Sequence, residues 1–190
     1  MDGFRALAYV EGHHCTLVSR NGNVFKSWPQ LAEEIAHAVR AHDAILDGEI
    51  VCLDPDGRSN FKNLVLRREW PFFMAFDVLA CEGEDLTLLP LIERKRRLRR
   101  IMPRVVSRLV FMDSIEERGV DLFSAACDRD LEGIVGKWKQ GTYGRDGTST
   151  SWVKIKNPAY SQMEGRHELF EMRSSVGARP RHTPPQLALR

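Results

Sequence analysis

The first twenty residues contain two short apolar runs that are separated only by a turn. Residues 4–10 are followed at once by Glu11-Gly12, and residues 15–19 come next. Asn21-Gly22 then supplies a second turn signal. Apolar runs of this length, bounded by Gly and Asn, predict two short strands at the start of the fold.

The remaining periodic segments alternate irregularly between strands and helices. Three helices are predicted. The first follows Ser27, its N-cap, and has apolar residues at helical spacing over 31–39. The second covers Leu91–Ile101 after Pro90, and the third covers 115–129 with Ser114 as its cap. Further strands are predicted at 44–53 (interrupted by a turn at Asp47-Gly48), 72–79, 133–138 and 151–155, with a polar, Gly-rich loop at 140–150. A regular βαβ alternation is missing, so the sequence predicts an α+β fold of antiparallel sheets with flanking helices.

The charge of the chain does not identify a binding partner. Lys and Arg number 28 against 26 Asp and Glu, which gives a net charge of +2. Any surface that binds nucleic acid must therefore come from local clustering of basic residues. The most conspicuous cluster is the run at residues 94–100, which could contact DNA phosphates but is better interpreted as the solvent-exposed face of a helix.

Cysteine usage and hydropathy indicate a cytoplasmic protein. The four cysteines are far apart and form no CxxC pair, which disfavours a zinc knuckle and a disulfide framework. The most apolar segment, residues 71–80, is too short to span a bilayer and contains Asp77. We therefore expect a soluble monomer with reduced thiols and no membrane segment. Residues 173–190 are rich in Pro and Arg, contain no acidic residue, and predict a disordered tail over 172–190.

Six short segments combine cations, carboxylates and an aromatic residue. They are Asp2-Gly3-Phe4-Arg5, Ser19-Arg20-Asn21-Gly22, Asp47-Gly48-Glu49-Ile50-Val51, Phe73-Met74-Ala75-Phe76-Asp77-Val78-Leu79, Glu132-Gly133-Ile134-Val135-Gly136-Lys137 and Trp152-Val153-Lys154-Ile155-Lys156. Lys154 and Lys156 are two apart on a predicted strand, so both project from one face, and a phosphate between them would relieve their repulsion. Glu49 and Glu132 could hold Mg²⁺, which favours oxygen ligands together with substrate phosphates. Phe76 could offer a flat face to a base.

Each segment also has an ordinary structural interpretation. The two lysines could form a solvated strand face, either glutamate could be a surface carboxylate near a turn, and Phe76 could belong to the core. Asp77 could be a cap or a salt-bridge partner. A magnesium–nucleotide site follows only from the order and spacing of the segments taken together.

That joint pattern resembles the covalent nucleotidyltransferases, and among them the ATP-dependent DNA ligases. Asp2, Gly3 and Arg5 match the later part of the first motif of that family, K-x-D-G-x-R. Within the other segments, four stretches resemble the later motifs of the family, in the order in which the family has them. They are Asp47-Gly48-Glu49, Phe76-Asp77-Val78-Leu79, Glu132-Gly133-Ile134-Val135 and Lys154-Ile155-Lys156. The resemblance covers residues 1–171, which would form the adenylation domain.

The resemblance implies a mechanism and a set of roles. A lysine attacks the α-phosphate of ATP to form lysyl-AMP, the AMP passes to the 5′-phosphate of nicked double-stranded DNA, and the 3′-hydroxyl then displaces it. Metal ions and cationic side chains stabilise the charge on phosphate in each step. The nucleotide would contact Arg5, Arg20, Glu49, Phe76, Lys137, Lys154 and Lys156, and Mg²⁺ would be held by Glu132 with help from Glu49.

The chain departs from the family pattern at both ends. The nucleophilic lysine would stand two residues before Asp2, which places it immediately before Met1, so no catalytic residue is assigned within the chain. The residues after Lys156 are too few for the OB-fold domain of complete ligases. We therefore expect self-adenylation to be lost in this chain. A miscalled start codon at Met1 would explain the missing lysine but not the missing OB-fold domain. The alternatives are a non-catalytic nucleotide or DNA binder, a gene fragment without a selected role, and an RNA ligase or capping-type relative.

Overall fold

The computed structural model describes residues 2–144, 151–163 and 169. These residues form strands β1 (Phe4–Glu11), β2 (His14–Ser19), β3 (Asp43–Val51), β4 (Phe72–Cys81), β5 (Glu84–Asp85), β6 (Leu109–Phe111), β7 (Gly133–Lys137) and β8 (Trp152–Lys156). The helices are α1 (Pro29–Ala38), α2 (Phe61–Val65), α3 (Leu91–Ile101) and α4 (Gly119–Asp128), and a 3₁₀ turn covers Ser161–Met163. Met1, the predicted tail at 172–190 and most of the predicted loop at 140–150 lie outside the described residues.

The larger sheet contains six strands in the order β2-β1-β3-β4-β5, with β6 beside β4. Neighbours along this order are antiparallel, and β1 turns into β2 at Gly12, whose φ is +58°. The α+β class with antiparallel sheets is therefore confirmed. One pair differs from the prediction, because β6 runs parallel to β4, with Phe73 opposite Leu109.

The core lies on the face of this sheet that α1 covers. Ala6, Ala8 and Val10 alternate inward along β1, and Leu31 and Ile35 of α1 are fully buried. Removing such aliphatic side chains from water stabilises the fold by roughly 1.5–3 kcal/mol for each large residue. The side chain of Arg5 projects from the opposite face of β1, because alternate residues of a strand point to opposite sides.

The predicted cap of α1 is wrong. Helix α1 begins after Trp28, and no side chain caps it. The hydroxyl of Ser27 instead accepts a hydrogen bond of 2.6 Å from the Arg67 guanidinium. Pro29 fixes the first turn without a cap, because its missing N–H would lack a helical partner in any case.

Helix α4 is shorter than predicted. It begins at Gly119 rather than at residue 115, and Arg118 stands at its N-cap. Glu117 has a φ of +64°, a left-handed conformation that a right-handed helix cannot contain. Ser114 does not cap the helix, because the helix begins only at Gly119; the Ser114 N–H donates to the side chain of Asp113.

The predicted turn at Asp47-Gly48 is also wrong, since β3 continues through both residues. Gly48 lies against the ring of Phe73, and a Cβ there would come within 2.6 Å of two ring carbons. Glycine is thus required for close packing between β3 and β4. The Asp47 side chain is fully buried.

The basic run on α3 is only partly the exposed face that its composition indicates. Arg96, Arg97 and Arg99 are exposed and pair with Glu93, Glu84 and Asp113. Arg94 contradicts the interpretation, because its side chain is fully buried and forms a bidentate ion pair with Asp77 at 2.9 and 2.8 Å. Asp77 is therefore a salt-bridge partner, one of the two structural roles considered for it.

The smaller sheet pairs β7 with β8 in antiparallel register, with Val135 opposite Lys154 and Gly133 opposite Lys156. Gly133 has a φ of +139°, and a Cβ at this position would come within 2.1 Å of the Ile155 carbonyl oxygen. Only glycine allows the chain to enter β7 so close to β8.

All four cysteines are free thiols, and Cys15, Cys52 and Cys81 are buried. Burial raises the pKa of Cys15 and that of Cys52 to about 12, so both remain protonated at neutral pH. In the part of the chain that the structure describes, no helix has the length and apolar character needed to cross a membrane.

Candidate functional site

The predicted site residues gather where the open face of the larger sheet meets the smaller sheet. Arg5 lies on β1, Glu49 on β3 and Phe76 on β4, while Lys137 lies on β7 and Lys154 on β8. Arg5 stands directly opposite Glu49 in the β1–β3 register. The junction therefore brings together residues from distant parts of the sequence.

Arg5 is fixed by a buried carboxylate. Its Nε donates to Asp47 Oδ1 at 3.1 Å and its Nη2 donates to Asp47 Oδ2 at 2.7 Å. The Arg5 side chain is 41% exposed, whereas that of Asp47 is completely covered. Although burial disfavours the charged form of Arg5, the hydrogen bonds and the charge of Asp47 raise its pKa. The guanidinium is thus a permanent, oriented cation at the edge of the junction.

A β-bulge places Phe76 at the same junction. Asp47 pairs with Asp77 and Gly48 pairs with Ala75, so the register between β3 and β4 skips Phe76. A bulge of this kind re-aims the side chain of the extra residue. The ring of Phe76 meets the edge of Trp152 with a centroid separation of 5.9 Å and an interplanar angle of 80°. Phe76 is half-buried, not a member of the core.

Lys137 lies between these two aromatic rings. Its Nζ is 4.0 Å from the Phe76 centroid and 3.5 Å from the Trp152 centroid, which is cation–π geometry. The Nζ atom is buried and has no hydrogen-bond partner among the residues that the structure describes. Burial lowers the pKa of Lys137 to about 8, against the attraction of Asp77 and Asp47. An unpaired buried cation of this type is a feature of functional sites more often than of structural ones.

The two acidic candidates lie on opposite sides of the junction. Lys154 Nζ donates to Glu132 Oε1 at 2.7 Å, and the Glu132 side chain is 11% exposed. Glu49 on β3 is close enough to Glu132 for the two carboxylates to repel each other. Burial first, and the charge of Glu132 second, raise the pKa of Glu49.

This pair of carboxylates fits Mg²⁺ better than a metal that needs a complete protein cage. Among the described residues there is no group of three or more His, Cys, Asp and Glu side chains that could hold a metal ion. Mg²⁺ is commonly held by one or two carboxylates, with water and substrate phosphates as its other ligands. Burial and, to a smaller extent, the charge of Glu132 raise the pKa of Glu49, and a cation between the two carboxylates would relieve their repulsion.

Arg20 and Lys156 lie at the margins of the site. Arg20 is exposed in the turn after β2 and lines an open hollow of about 260 Å³ together with Gly3, Phe4 and Arg5. Lys156 is exposed at the end of β8. It shares a face with Lys154, as predicted, because alternate residues of a strand point to the same side.

Asp2 anchors the start of β1 to the segment that follows β8. Its carboxylate accepts a hydrogen bond of 2.8 Å from the Tyr160 hydroxyl, and its N–H donates to Ser59 Oγ at 3.1 Å. Gly3 cannot carry a side chain, because a Cβ would come within 2.2 Å of the Ile50 carbonyl oxygen. Asp2 and Gly3 thus have structural roles that place Arg5.

The position of the family nucleophile cannot be compared with this site, because the motif places it before Met1 and the described residues begin at Asp2. The expectation that no residue of this chain is the nucleophile therefore stays a prediction. What the structure describes is the binding part of the junction, from Arg5 onward.

The sequence analysis assigns no individual role in the site to three of its residues, although Asp47 and Trp152 belong to two of the six segments. The sequence pattern assigns Asp47 to a turn and gives no role to Trp152 or Tyr143. A signal for Trp152 is present, since it stands two residues before Lys154 on one strand face. Tyr143 belongs to a loop without periodicity, so only its contacts reveal it. Its hydroxyl donates to Asp47 Oδ2 at 3.0 Å.

Comparisons of the sequence with known proteins agree on one family. The family model described as the ATP dependent DNA ligase domain matches residues 1–156. A multifunctional non-homologous end joining protein LigD of Pseudomonas aeruginosa is 34% identical over 163 residues, which cover 82% of this chain and 19% of that protein. A DNA ligase of Pyrobaculum calidifontis is 31% identical over 85% of this chain and is covered over 31% of its own length.

Solved structures agree with the sequence matches. The ligase domain of LigD from M. tuberculosis superimposes with a TM-score of 0.68 at 28% identity, covering 82% of this chain and 52% of that chain. A mycobacterial DNA ligase D complexed with ATP and MES gives the same TM-score at 27% identity. The chain thus spans about half of the solved ligase domain and a fifth to a third of the full-length relatives. It belongs to the ATP-dependent DNA ligase family, as the nucleotidyltransferase core of an adenylation domain.

Proposed function

We propose that this chain binds ATP at the junction of its two sheets, as the nucleotide-binding core of a DNA ligase. The observation that supports this most directly is the Lys154–Glu132 ion pair, with Glu49 close enough to be affected by both charges, at a junction that also contains the Phe76–Trp152 ring contact. A nucleotide needs a cation for its phosphate, carboxylates for its metal and a flat face for its base, and the junction offers all three.

Each residue of the junction suits one part of the nucleotide. Phe76 suits the adenine, and Lys137, whose Nζ lies 4.0 Å from the Phe76 ring centroid, belongs to the base side of the site. Arg5 and Glu49, which are opposite each other on β1 and β3, suit the ribose. Lys154 and Lys156 suit the α-phosphate, because they are exposed cations on one strand face.

Mg²⁺ would be held by Glu132 and Glu49 together with the phosphates. When bound, it would neutralise charge on the phosphate that undergoes attack. Glu132 has limited exposure and a fixed backbone, because Gly133 can approach β8 closely. Glu49 must ionise to take part, and its raised pKa makes metal binding dependent on pH.

The proposed substrate is nicked double-stranded DNA, bound by a monomer. In the family reaction a lysine amine attacks the α-phosphorus, a P–N bond forms, and pyrophosphate leaves. The AMP then moves to the 5′-phosphate of the nick, and the 3′-hydroxyl expels it. Arg20 lies beside Arg5 in the open hollow, where it could contact the DNA end or a nucleotide phosphate.

The family nucleophile is a lysine that lies outside the residues proposed to bind ATP. The family motif places the lysine immediately before Met1, and attack requires near-attack geometry at the α-phosphorus. Neither Lys137 nor Lys154 is assigned to this attack, because Lys137 lies against the Phe76 ring and Lys154 is the proposed contact of the α-phosphate oxygens.

Intact mass after incubation with ATP and Mg²⁺ tests this proposal. The 190-residue chain would be compared with a version that carries Lys-x before Asp2, with Met1 or another residue at x. A gain of AMP only in the extended version is the expected result. A gain in the 190-residue chain itself would show that another lysine is the nucleophile.

A non-catalytic nucleotide binder is the second candidate, because the binding residues do not depend on that lysine. Calorimetric titration with ATP and Mg²⁺ distinguishes the possibilities. ATP binding without adenylation of the extended version would favour the non-catalytic binder. Absence of ATP binding in both versions would contradict both proposals.

A further inference from the structure

Tyr143 contacts residues of both sheets at the junction. Its hydroxyl lies between Arg5 and Asp47, donating to Asp47 Oδ2 at 3.0 Å and accepting from Arg5 Nη2 at 3.2 Å. Its ring meets the edge of Trp152 at 5.9 Å and an angle of 85°. Tyr143 therefore connects the larger sheet to the smaller one.

The loop that contains Tyr143 is held at several points. Tyr143 N–H donates to the Thr87 carbonyl at 2.8 Å, and the Gly141 carbonyl accepts from Leu91 N–H at 3.0 Å. The buried Arg94 also donates to the Gly141 carbonyl, at 3.3 Å, and its guanidinium lies 5.8 Å from the Tyr143 ring centroid. The phenol is thus presented to Asp47 by a fixed backbone.

The geometry leaves one edge of Arg5 for a ligand. Its Nε and Nη2 are used by Asp47 and Tyr143. Within the described part of the chain, Nη1 is the nitrogen left to point at a bound molecule. A guanidinium held on two sides loses little rotational freedom when its third side binds.

We propose that Tyr143 is a positioning residue for the nucleotide site, whose hydroxyl locks the Asp47–Arg5 pair in the orientation that Arg5 needs to contact the nucleotide. This inference rests on the proposed function, because it assumes that the junction binds ATP. Burial and the charge of Asp47 raise the pKa of the Tyr143 phenol to about 12, so the phenol keeps its proton at every pH at which the fold is studied.

Tyr143→Phe tests the role of the hydroxyl, since the ring and its contact with Trp152 remain. Tyr9→Phe is the matched control: Tyr9 lies on β1, like Arg5, but is 38% exposed and outside the junction. In calorimetric titrations with ATP and Mg²⁺, Tyr143→Phe should weaken binding about fivefold to tenfold, the equivalent of one hydrogen bond. Tyr9→Phe should leave the affinity unchanged.

A double-mutant cycle with Arg5→Gln separates positioning from a general structural effect. If Tyr143 acts through Arg5, the double variant should bind ATP no more weakly than Arg5→Gln alone. Fully additive losses, or an unchanged affinity in Tyr143→Phe, would overturn the proposal.

A second readout does not require ATP. Exchange of the Arg5 Nε proton, followed by NMR in the nucleotide-free chain, should be slow in the native chain and in Tyr9→Phe, and several-fold faster in Tyr143→Phe. Equal rates in all three would overturn the positioning role. If the native chain fails to bind ATP, the proposed function is wrong, and the exchange rates still decide whether Tyr143 orients Arg5.

Discussion

The ammonium of Lys154 lies 2.7 Å from the carboxylate of Glu132, although the two residues are proposed to bind different parts of the substrate. The Lys154 side chain is 48% exposed and that of Glu132 is 11% exposed. An ion pair with one partner so accessible to water contributes little stability, about 0–1 kcal/mol. The two charges therefore balance each other and can separate at small cost when phosphate and metal bind.

We predict that Lys154→Met weakens ATP binding at least tenfold while changing the free energy of unfolding by less than about 1 kcal/mol. The reason is that a phosphate contact is lost, whereas the ion pair itself stabilises the fold only weakly. Calorimetry with ATP and Mg²⁺ and urea denaturation measure the two effects. Lys139→Met is the matched control, because Lys139 forms a comparable exposed pair with Glu116 at 3.0 Å. Equal ATP affinities for both variants would contradict the assignment.

Glu49 should make Mg²⁺ binding dependent on pH. Its pKa is raised by burial and by Glu132, so ionisation is delayed to a higher pH than for an ordinary glutamate. The protonated form cannot bind a cation, and Mg²⁺ affinity should therefore rise with pH as Glu49 loses its proton, above the range in which an ordinary glutamate ionises. Titrations of Mg²⁺ into the ATP-bound chain check this, and Glu49→Gln should lower the affinity and flatten the dependence. A dependence that persists in Glu49→Gln would assign it to another group.

Glu49 also affects stability with a defined sign. Because its pKa is higher in the folded state than in the unfolded state, the folded state retains the proton over the interval between the two values. Its contribution to stability is fully present below the unfolded pKa and is lost as pH rises through the folded pKa. Without Mg²⁺, Glu49→Gln should accordingly be more stable than the native chain at neutral pH, as urea denaturation would measure.

The larger sheet and the motif order were predictable because strands, turns and short motifs are local in sequence. Residues 4–10 and 15–19 form β1 and β2 with shifts of one residue at their ends. Lys154 and Lys156 share a face for the same local reason. The turn predicted at Asp47-Gly48 is wrong because the close packing of Gly48 depends on Phe73 of β4, which comes later in the sequence.

The wrong prediction of an exposed Arg94 and the omission of Tyr143 from the predicted site have the same origin. A basic run on a helix predicts a solvent-exposed face, and nothing within the helix shows that Asp77 of β4 lies beneath Arg94. Tyr143 lies 96 residues from Asp47, so no local pattern links the two. Contacts between distant segments decide which polar residues are buried, and buried polar residues determine the shape of the site.

Lys137 should destabilise the folded chain at neutral pH. Its pKa falls from 10.5 to about 8 on folding because the amine is buried. The unfolded state therefore binds more protons between pH 8 and pH 10.5, and stability from this group rises with pH over that window. Lys137→Met should stabilise the fold at pH 7 by roughly 1–2 kcal/mol, after the loss of the cation–π contacts is included.

Urea denaturation at several pH values measures this effect. The advantage of Lys137→Met over the native chain should shrink as pH rises from 8 toward 10.5. Lys139→Met, at an exposed lysine, serves as the control and should show no such trend. A constant advantage at every pH would mean that packing of the methionine, not the charge of Lys137, is responsible.

The Arg94–Asp77 pair should be the most sensitive polar contact of the fold. Both side chains are completely covered, and Arg94 also donates to the Leu89 and Gly141 carbonyls, which ties α3 to the loop of Tyr143. Arg94→Met leaves the Asp77 carboxylate buried without its cation, so we expect a loss of about 3–5 kcal/mol in the free energy of unfolding. Urea denaturation near neutral pH measures it.

The control for this prediction lies two residues further along the same helix. Arg96 pairs with Glu93 on the surface at 2.5 Å, and Arg96→Met removes the same chemical group at the cost of an exposed pair only, about 0.5 kcal/mol or less. Equal losses for the two variants would mean that burial of Asp77 carries no penalty. Restoration of stability in the double variant Arg94→Met with Asp77→Leu would instead show that the penalty arises from the unpaired carboxylate, because an apolar pair of similar volume removes the buried charge altogether.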